Sequence, residues 1–364
     1  MHSYDSGRPV LSFDMDLHSS QLGNRLGNLF EAMSFARLHG LHFVAFSAHS
    51  HQQQAQQTQQ ASTQQHVESY LPLSHTFVAA LPTVMLHPSP AESRADVATL
   101  LNSSAGQEHK EPWPWQRRNA SWLHNVEYIS TIMRDAANAY VSDTYGRGVT
   151  PMAPADTFHH PKEHHHNHHQ AHSSGHRKLV PDVAILFRCT DVVLHGGNEY
   201  GFLNFNSYPK LIKTPPREIY ILSEPLKYGP WTETCVNVTR GLVAFLSPHY
   251  PNTTILVRRG FAFDGLATLA LAQTIICPPS TFCFWPALAN PSEHVHYAVS
   301  PLINLGLAPH LRDTFRWITE PKVMGFWKQS HYDLRWPNAT EYILDKLAAV
   351  NPPKGVDGDF VYKT

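Results

Sequence analysis

The sequence predicts an α/β protein in which parallel strands alternate with helices; the alternation indicates the class, and length and composition indicate its size. Short runs of apolar residues that are typical of buried strands are separated by segments with apolar residues at helical spacing. The chain has 364 residues, a length that suits about two domains. Only 16% of the residues are charged and 42% are apolar, so we expect a sizeable core.

The first half of the chain is predicted to begin with a strand–helix–strand unit. Residues 10–17 and 41–46 have the pattern of strands. Between them, apolar residues recur at helical spacing from Leu22 onward, and Gly40 is a typical helix stop. A further helix is predicted over residues 125–140.

The second half shows the alternation more clearly, which indicates a parallel sheet covered on both faces. The predicted strands are residues 182–188, 217–223, 253–259 and 274–277, and the predicted helices are residues 232–246 and 264–273.

Two low-complexity segments interrupt this pattern. Residues 51–66 form a Gln-rich tract, and residues 159–176 contain nine of the 26 histidines. Histidine is a common metal ligand, but this tract lacks apolar residues that would hold ligands at a fixed geometry, so we predict a solvated linker and no metal site. The predicted organisation is an N-terminal α/β domain (1–155, with the Gln-rich insertion), a His-rich linker (156–178), a C-terminal α/β domain (179–320) and a C-terminal segment (321–364).

Charge and hydropathy exclude several classes of protein. The 28 basic and 29 acidic residues leave a net charge of -1 without long runs of either sign, which argues against nucleic-acid binding and against a polybasic membrane surface. No apolar run approaches the roughly 18 residues that a membrane span requires. We therefore expect no nucleic-acid partner and no membrane segment.

The cysteines and sequons bear on the compartment. The four cysteines are too few for a disulfide-dense scaffold, and their pairing stays open at this stage. The five N-x-S/T sequons predict a luminal glycoprotein whose targeting segment lies upstream of Met1 or has been removed. The sequons begin at Asn102, Asn119, Asn237, Asn252 and Asn338.

Candidate functional residues follow predicted strands, at the edge where parallel sheets bind ligands. Residues 21–28 place Gly23 and Asn24 between the first strand and the first helix, where backbone N–H groups attract an anion. Arg188 ends a buried strand and presents a planar fork suited to phosphate, and Asp191 follows it as an orienting group or loop cap.

A third segment follows the predicted strand over residues 274–277. Two prolines end that strand, and Ser280 and Thr281 stand where a helix begins, so their hydroxyl groups serve as a helix cap or hold a phosphate. Phe282 comes next and is expected to be core or to stack on a sugar or base.

In their order along the chain, these segments resemble the motifs of the GT-B fucosyltransferase superfamily, which includes the α-1,2-, α-1,6- and protein O-fucosyltransferases. Residues 22–25 (LGNR) are similar to G-x-[LF]-G-N-[QR], residues 186–191 (LFRCTD) to H-x-R-R-[GT]-D, and residues 280–285 (STFCFW) to S-[ST]-F-S-W-W. Asp264 occupies the place of an Asp that contacts the donor nucleotide. Leu186 and Cys189 depart from the family's His and second Arg.

The resemblance implies a GT-B architecture, with two Rossmann-like α/β domains facing a cleft and the donor held mainly by the C-terminal domain. The donor would be a GDP-sugar, usually GDP-β-L-fucose, and the acceptor a hydroxyl group of a glycan or protein. Transfer would proceed with inversion, without an obligatory metal or another cofactor. The expected compartment is the Golgi lumen.

The resemblance also implies roles for the residues. Arg188 would neutralise the departing diphosphate, and Glu199 is a candidate general base by position. The donor-binding residues would be Gly23, Asn24, Asp191, Asp264, Ser280, Thr281 and Phe282.

Two other interpretations stay open. A metal-dependent GT-A transferase would use a D-x-D motif, which Asp14 and Asp16 or Asp357 and Asp359 provide. A non-catalytic binding relative would have kept the cleft and lost the reaction, and the departures at Leu186 and Cys189 are the reason to consider it.

Overall fold

The computed structural model describes residues 10–14, 22–38, 42–46, 121–145, 180–189, 202–223, 232–259, 262–298, 316–318 and 339–348. The strands are β1 (Val10–Asp14), β2 (His42–Phe46), β3 (Val183–Phe187), β4 (Glu218–Ser223), β5 (Thr254–Arg259), β6 (Thr274–Cys277), β7 (His294–Ala298) and β8 (Arg316–Ile318). The α-helices are α1 (Leu22–Leu38), α2 (Val126–Tyr145), α3 (Ser207–Leu211), α4 (Thr232–His249), α5 (Ala262–Leu271), α6 (Thr281–Ala289) and α7 (Ala339–Ala348), and a 3-10 turn (Ser121–Asn125) precedes α2.

Six of the described strands form one sheet in the order β5-β4-β3-β6-β7-β8, and every neighbouring pair is parallel. The chain therefore builds outward from β3 to one edge, returns, and builds outward from β6 to the other edge. This is the doubly wound order, so the predicted α/β class is confirmed. Strands β1 and β2 pair in parallel as a separate two-stranded sheet, with α1 between them in the chain.

Both faces of the six-stranded sheet are covered, as the apolar strand sequences predict. All five residues of β3 are buried, and their side chains alternate between two hydrophobic clusters. Ala184 and Leu186 belong to one cluster, whereas Val183, Ile185 and Phe187 belong to the other. Because side chains alternate along a strand, a strand buried on both sides is apolar at nearly every position.

One face is packed by α1, α2, α5 and α6, whose buried side chains form a single cluster with the sheet. Helix α2 is fastened to the end of α6, because the hydroxyl group of Ser130 donates to the carbonyl of Leu288 (2.8 Å) and Nε of Arg134 donates to that of Ala289 (2.8 Å). A cation placed on the last carbonyls of a helix also complements its dipole.

The other face is packed by α3, α4 and α7. Along α4, Val238, Leu242 and Leu246 recur at helical spacing and are fully buried. A disulfide bond between Cys189 and Cys235 ties the carboxyl end of β3 to α4.

The four strands predicted in the second half are all present, with ends within about one residue of the predicted ones, whereas other elements differ from expectation. Residues 23 and 24 lie inside the first turn of α1 and not in a glycine loop, because the helix already begins at Leu22. Strands β7 and β8 and helices α3 and α7 were not predicted. In β7, the sequence HVHYA places histidines among the apolar residues.

The domain boundaries stay a prediction, and the tracts at 51–66 and 156–178 lie outside the described residues. None of the helices that the structure describes combines the length and the apolar composition needed to cross a membrane.

Candidate functional site

The candidate site lies where the order of the sheet reverses. Strands β3 and β6 are neighbours, and Val183 pairs with Thr274 across them. Arg188 directly follows β3, and Ser280 follows β6 by three residues. In doubly wound sheets, ligands bind outside the carboxyl ends of the strands at this reversal.

Arg188 and Ser280 are in direct contact at this position. A terminal nitrogen of the Arg188 guanidinium group donates a hydrogen bond to Oγ of Ser280 over 3.4 Å. Arg188 is half-buried, whereas Ser280 is completely buried. The contact brings a guanidinium group to the first turn of α6.

Tyr297 on β7 holds the backbone of Ser280 in place. The N–H group of Ser280 donates to the Tyr297 hydroxyl oxygen over 3.2 Å, and that hydroxyl group donates to the carbonyl of Ser280 over 2.7 Å. Since both residues are buried, the two hydrogen bonds are protected from exchange with water.

The amino end of α6 is not capped by a side chain of its own. Ser280 occupies the cap position with extended backbone angles (φ -163°, ψ 124°) and makes no side-chain capping hydrogen bond. The first turn of α6 also contains no acidic residue. The N–H groups of Ser280 and Cys283 are already engaged, by the Tyr297 hydroxyl oxygen and the Ser280 carbonyl, so those of Thr281 and Phe282 are the ones that would attract an anion.

Helix α1 meets α6 at its first turn. The hydroxyl group of Thr281 donates to Oδ1 of Asn24 over 2.6 Å, and Nε1 of Trp285 donates to the carbonyl of Gly23 over 2.8 Å. A Cβ atom at Gly23 would lie only 2.3 Å from the backbone nitrogen of Phe282. Gly23 is therefore required for close packing of two helix backbones, and this contact brings Asn24 to the site.

Phe282 and Asp264 extend the site toward α5. A Cβ atom at Gly265 would lie 3.3 Å from the end of the Phe282 ring, so this ring rests on the first turn of α5. Asp264, which precedes Gly265 in the chain, accepts a hydrogen bond from the Tyr140 hydroxyl group of α2 over 2.8 Å.

Two disulfide bonds border the site. Cys189, which pairs with Cys235, is adjacent to Arg188 in the chain. Cys277 pairs with Cys283, and this bond encloses the turn that contains Ser280. The two bonds together contain all four cysteines, so the question of pairing that the sequence left open is answered.

The structure thus places seven of the predicted site residues in one contiguous region. They are Gly23, Asn24, Arg188, Asp264, Ser280, Thr281 and Phe282. Asp191 and Glu199 lie outside the described residues, so their roles stay predictions. Of the two D-x-D motifs, only Asp14 falls in the described part, as the last residue of β1.

Sequence reasoning missed Tyr297, Tyr140 and Ser223. Ser223 ends β4, where it pairs with Phe187 of β3 and Arg259 of β5. Its hydroxyl group is buried and has no hydrogen-bond partner in the described part of the chain. Buried polar groups in proteins are normally hydrogen-bonded, so this hydroxyl group is a candidate ligand contact. The sequence signal that could have found it was the position of Ser223 at the end of a predicted strand.

Among the described residues, no group of three or more His, Cys, Asp or Glu side chains is arranged to hold a metal ion. Comparisons with models of known protein families, with curated proteins and with solved structures found no match to the chain.

Proposed function

We propose that this protein is a glycosyltransferase that binds a nucleoside diphosphate sugar at the carboxyl ends of β3 and β6. The observation that carries the proposal is the contact between Arg188 and Ser280 at the reversal of a doubly wound sheet. This position combines a guanidinium group, a hydroxyl group and the amino end of α6. Each of these groups favours an anionic ligand.

The chemistry assigned to the site is departure of a diphosphate. In the transition state, the bond between the sugar and the diphosphate oxygen breaks and negative charge develops on that oxygen. Arg188 would neutralise this charge, and the amino end of α6 would add preorganised N–H donors. Because Tyr297 holds Ser280 from its buried side, these donors need no rearrangement during the reaction.

The resemblance to the fucosyltransferases leads us to propose a GDP-sugar, with fucose as the expected sugar, and a GT-B arrangement with the acceptor in a cleft. On this hypothesis, Asp264 and Phe282 lie on the nucleotide side of the diphosphate. Asn24 would reach the donor from α1, where its amide oxygen already accepts from Thr281.

A non-catalytic binding protein is the second candidate, and a specific observation favours it. Leu186 is buried in the hydrophobic cluster on the sheet face that α1, α2, α5 and α6 cover, and Cys189 is paired with Cys235 in a disulfide bond. The two positions where related enzymes have additional cations therefore supply no charge here. Such a site would bind the diphosphate and transfer the sugar slowly or not at all.

Calorimetric titration with GDP, UDP and ADP in metal-free buffer tests the proposal. Loss of a charge-assisted phosphate contact in Arg188→Ala is expected to weaken GDP binding on the order of 10- to 100-fold. Arg240→Ala is the matched control, because Arg240 is an exposed residue of α4 on the opposite face of the sheet. Its nucleotide affinity should equal that of the wild type.

Release of GDP from GDP-fucose then separates the two candidates. Release that is abolished in Arg188→Ala supports a transferase, and GDP binding without release supports the non-catalytic relative. UDP binding that requires added Mn²⁺ would instead favour the GT-A alternative. Absence of binding to every nucleotide would refute both readings of the site.

A further inference from the structure

An exposed sequon lies at the end of the sheet that faces away from the candidate site. Asn252 belongs to the turn between α4 and β5, and both Asn252 and Thr254 of this N-T-T sequon are exposed. The turn is well ordered by hydrogen bonds, since the N–H group of Thr253 donates to the carbonyl of Tyr250 over 3.1 Å. The acceptor amide and the sequon hydroxyl group are thus both presented to solvent.

The position of this turn separates it from the candidate site. Asn252 precedes the amino end of β5, whereas Arg188 follows the carboxyl end of β3. Because the strands are parallel, the length of β5 from Thr254 to Arg259, about 17 Å, lies between the two ends of the sheet. A bulky group on Asn252 would leave the carboxyl edge of the sheet open.

The second sequon within the described residues is placed differently. Asn237 is half-buried within α4, and its amide oxygen accepts from Arg240 over 3.3 Å. Its sequon residue Thr239 is fully buried, and the Thr239 hydroxyl group donates to the carbonyl of Cys235 over 2.6 Å. Once α4 has formed, this sequon is withdrawn from any modifying enzyme.

The disulfide bonds give an independent indication of the compartment. All four cysteines are paired, and disulfide bonds of this kind form and persist in oxidising compartments. Secreted and luminal proteins are also the ones in which N-x-S/T sequons are used.

We propose that Asn252 carries an N-linked glycan. The side-chain nitrogen of Asn252 attacks the anomeric carbon of an oligosaccharide that is linked to a lipid diphosphate. A carbon–nitrogen bond forms, the carbon–oxygen bond to the diphosphate breaks, and the lipid diphosphate leaves with the bonding electron pair. The amide nitrogen gives up one proton to a base of the modifying enzyme. The glycan shields the end of β5, which is one of the two edge strands of the described sheet and has no strand paired to its outer side there. This proposal is independent of nucleotide binding.

The test is site mapping on the full-length protein isolated from the cells that make it. Release of glycans by peptide N-glycosidase in heavy-oxygen water converts an occupied Asn252 to isotope-labelled Asp, which mass spectrometry of the peptide detects. Labelled Asp at position 252 supports the proposal. Unmodified Asn252 as the dominant form would overturn it, and so would glycan on Asn237 with Asn252 bare.

Two neighbouring threonines provide matched variants. Thr254→Ala destroys the sequon at an exposed side chain, whereas Thr253→Ala keeps the sequon and removes the hydrogen bond to the carbonyl of Pro216. We expect the glycan at position 252 to be lost from Thr254→Ala and retained in Thr253→Ala. Retention of the glycan in Thr254→Ala would contradict the assignment.

Discussion

Substitution of Gly23 by alanine tests whether the contact between α1 and α6 positions the site. The added Cβ would lie 2.3 Å from the backbone nitrogen of Phe282 and 2.4 Å from the carbonyl carbon of Thr281, where ordinary contact begins at 3.4 Å. Since both obstacles are backbone atoms, no side-chain rotation relieves the overlap. The two helices must separate by about 1 Å at this point.

The expected cost follows from the atoms that must move. Overpacking contributes about 1–3 kcal/mol, and the buried indole N–H group of Trp285, deprived of the Gly23 carbonyl, contributes a similar amount. The greater helix propensity of alanine offsets up to about 1 kcal/mol of this loss in the free energy of unfolding. We therefore expect Gly23→Ala to lower the free energy of unfolding by about 3 kcal/mol.

Gly265→Ala is the matched control, because it makes the same change in the first turn of α5. Its Cβ would meet only the end of the half-buried Phe282 ring at 3.3 Å, which a small ring movement relieves. Because alanine has the greater helix propensity here too, its free energy of unfolding should equal that of the wild type or exceed it by up to about 1 kcal/mol. Urea unfolding followed by circular dichroism measures both variants. If Gly23→Ala proved as stable as Gly265→Ala, the close approach of α1 to α6 would be refuted.

Three further predictions concern other parts of the molecule. Replacement of Cys189 and Cys235 by alanine should lower the free energy of unfolding by about 4 kcal/mol, because the bond closes a loop with a sequence separation of 46 residues; unchanged urea unfolding would contradict this. Ser223→Ala should leave stability unchanged or slightly raised, because its buried hydroxyl group has no partner in the described chain, yet it should weaken binding of GDP-fucose if that hydroxyl group meets the donor. Ser34→Ala, which removes a similar hydroxyl group from the core of α1, should leave titrations with GDP-fucose unaffected. Burial raises the pKa of Tyr250 above its ordinary value of 10.0, so stability should be full below about pH 10 and fall as the pH rises through the pKa of the folded state. In Tyr250→Phe, the free energy of unfolding should fall less steeply with pH across this range. An equally steep fall in the variant would show that the Tyr250 hydroxyl group does not cause the loss.

The sheet illustrates how much of the fold local sequence determines. Strands such as β3 and β4 are buried on both faces, so their uninterrupted apolar runs mark them in the sequence. Strand β7 escaped prediction because His294 is exposed and His296, although buried, is polar. Strand β7 is held in the sheet by its pairing with β6, which is a contact between separate segments of the chain.

The site shows the same division. Local patterns were enough to predict that Arg188 and Ser280 follow strands and that glycine, hydroxyl and guanidinium groups are available for an anion. The contact of Arg188 with Ser280, and that of Asn24 with Thr281 across 257 residues of sequence, could be seen in the folded chain alone. Hydrophobic periodicity reports the local environment of each segment, whereas contacts between distant segments arise when the sheet orders its strands and the helices pack on its faces.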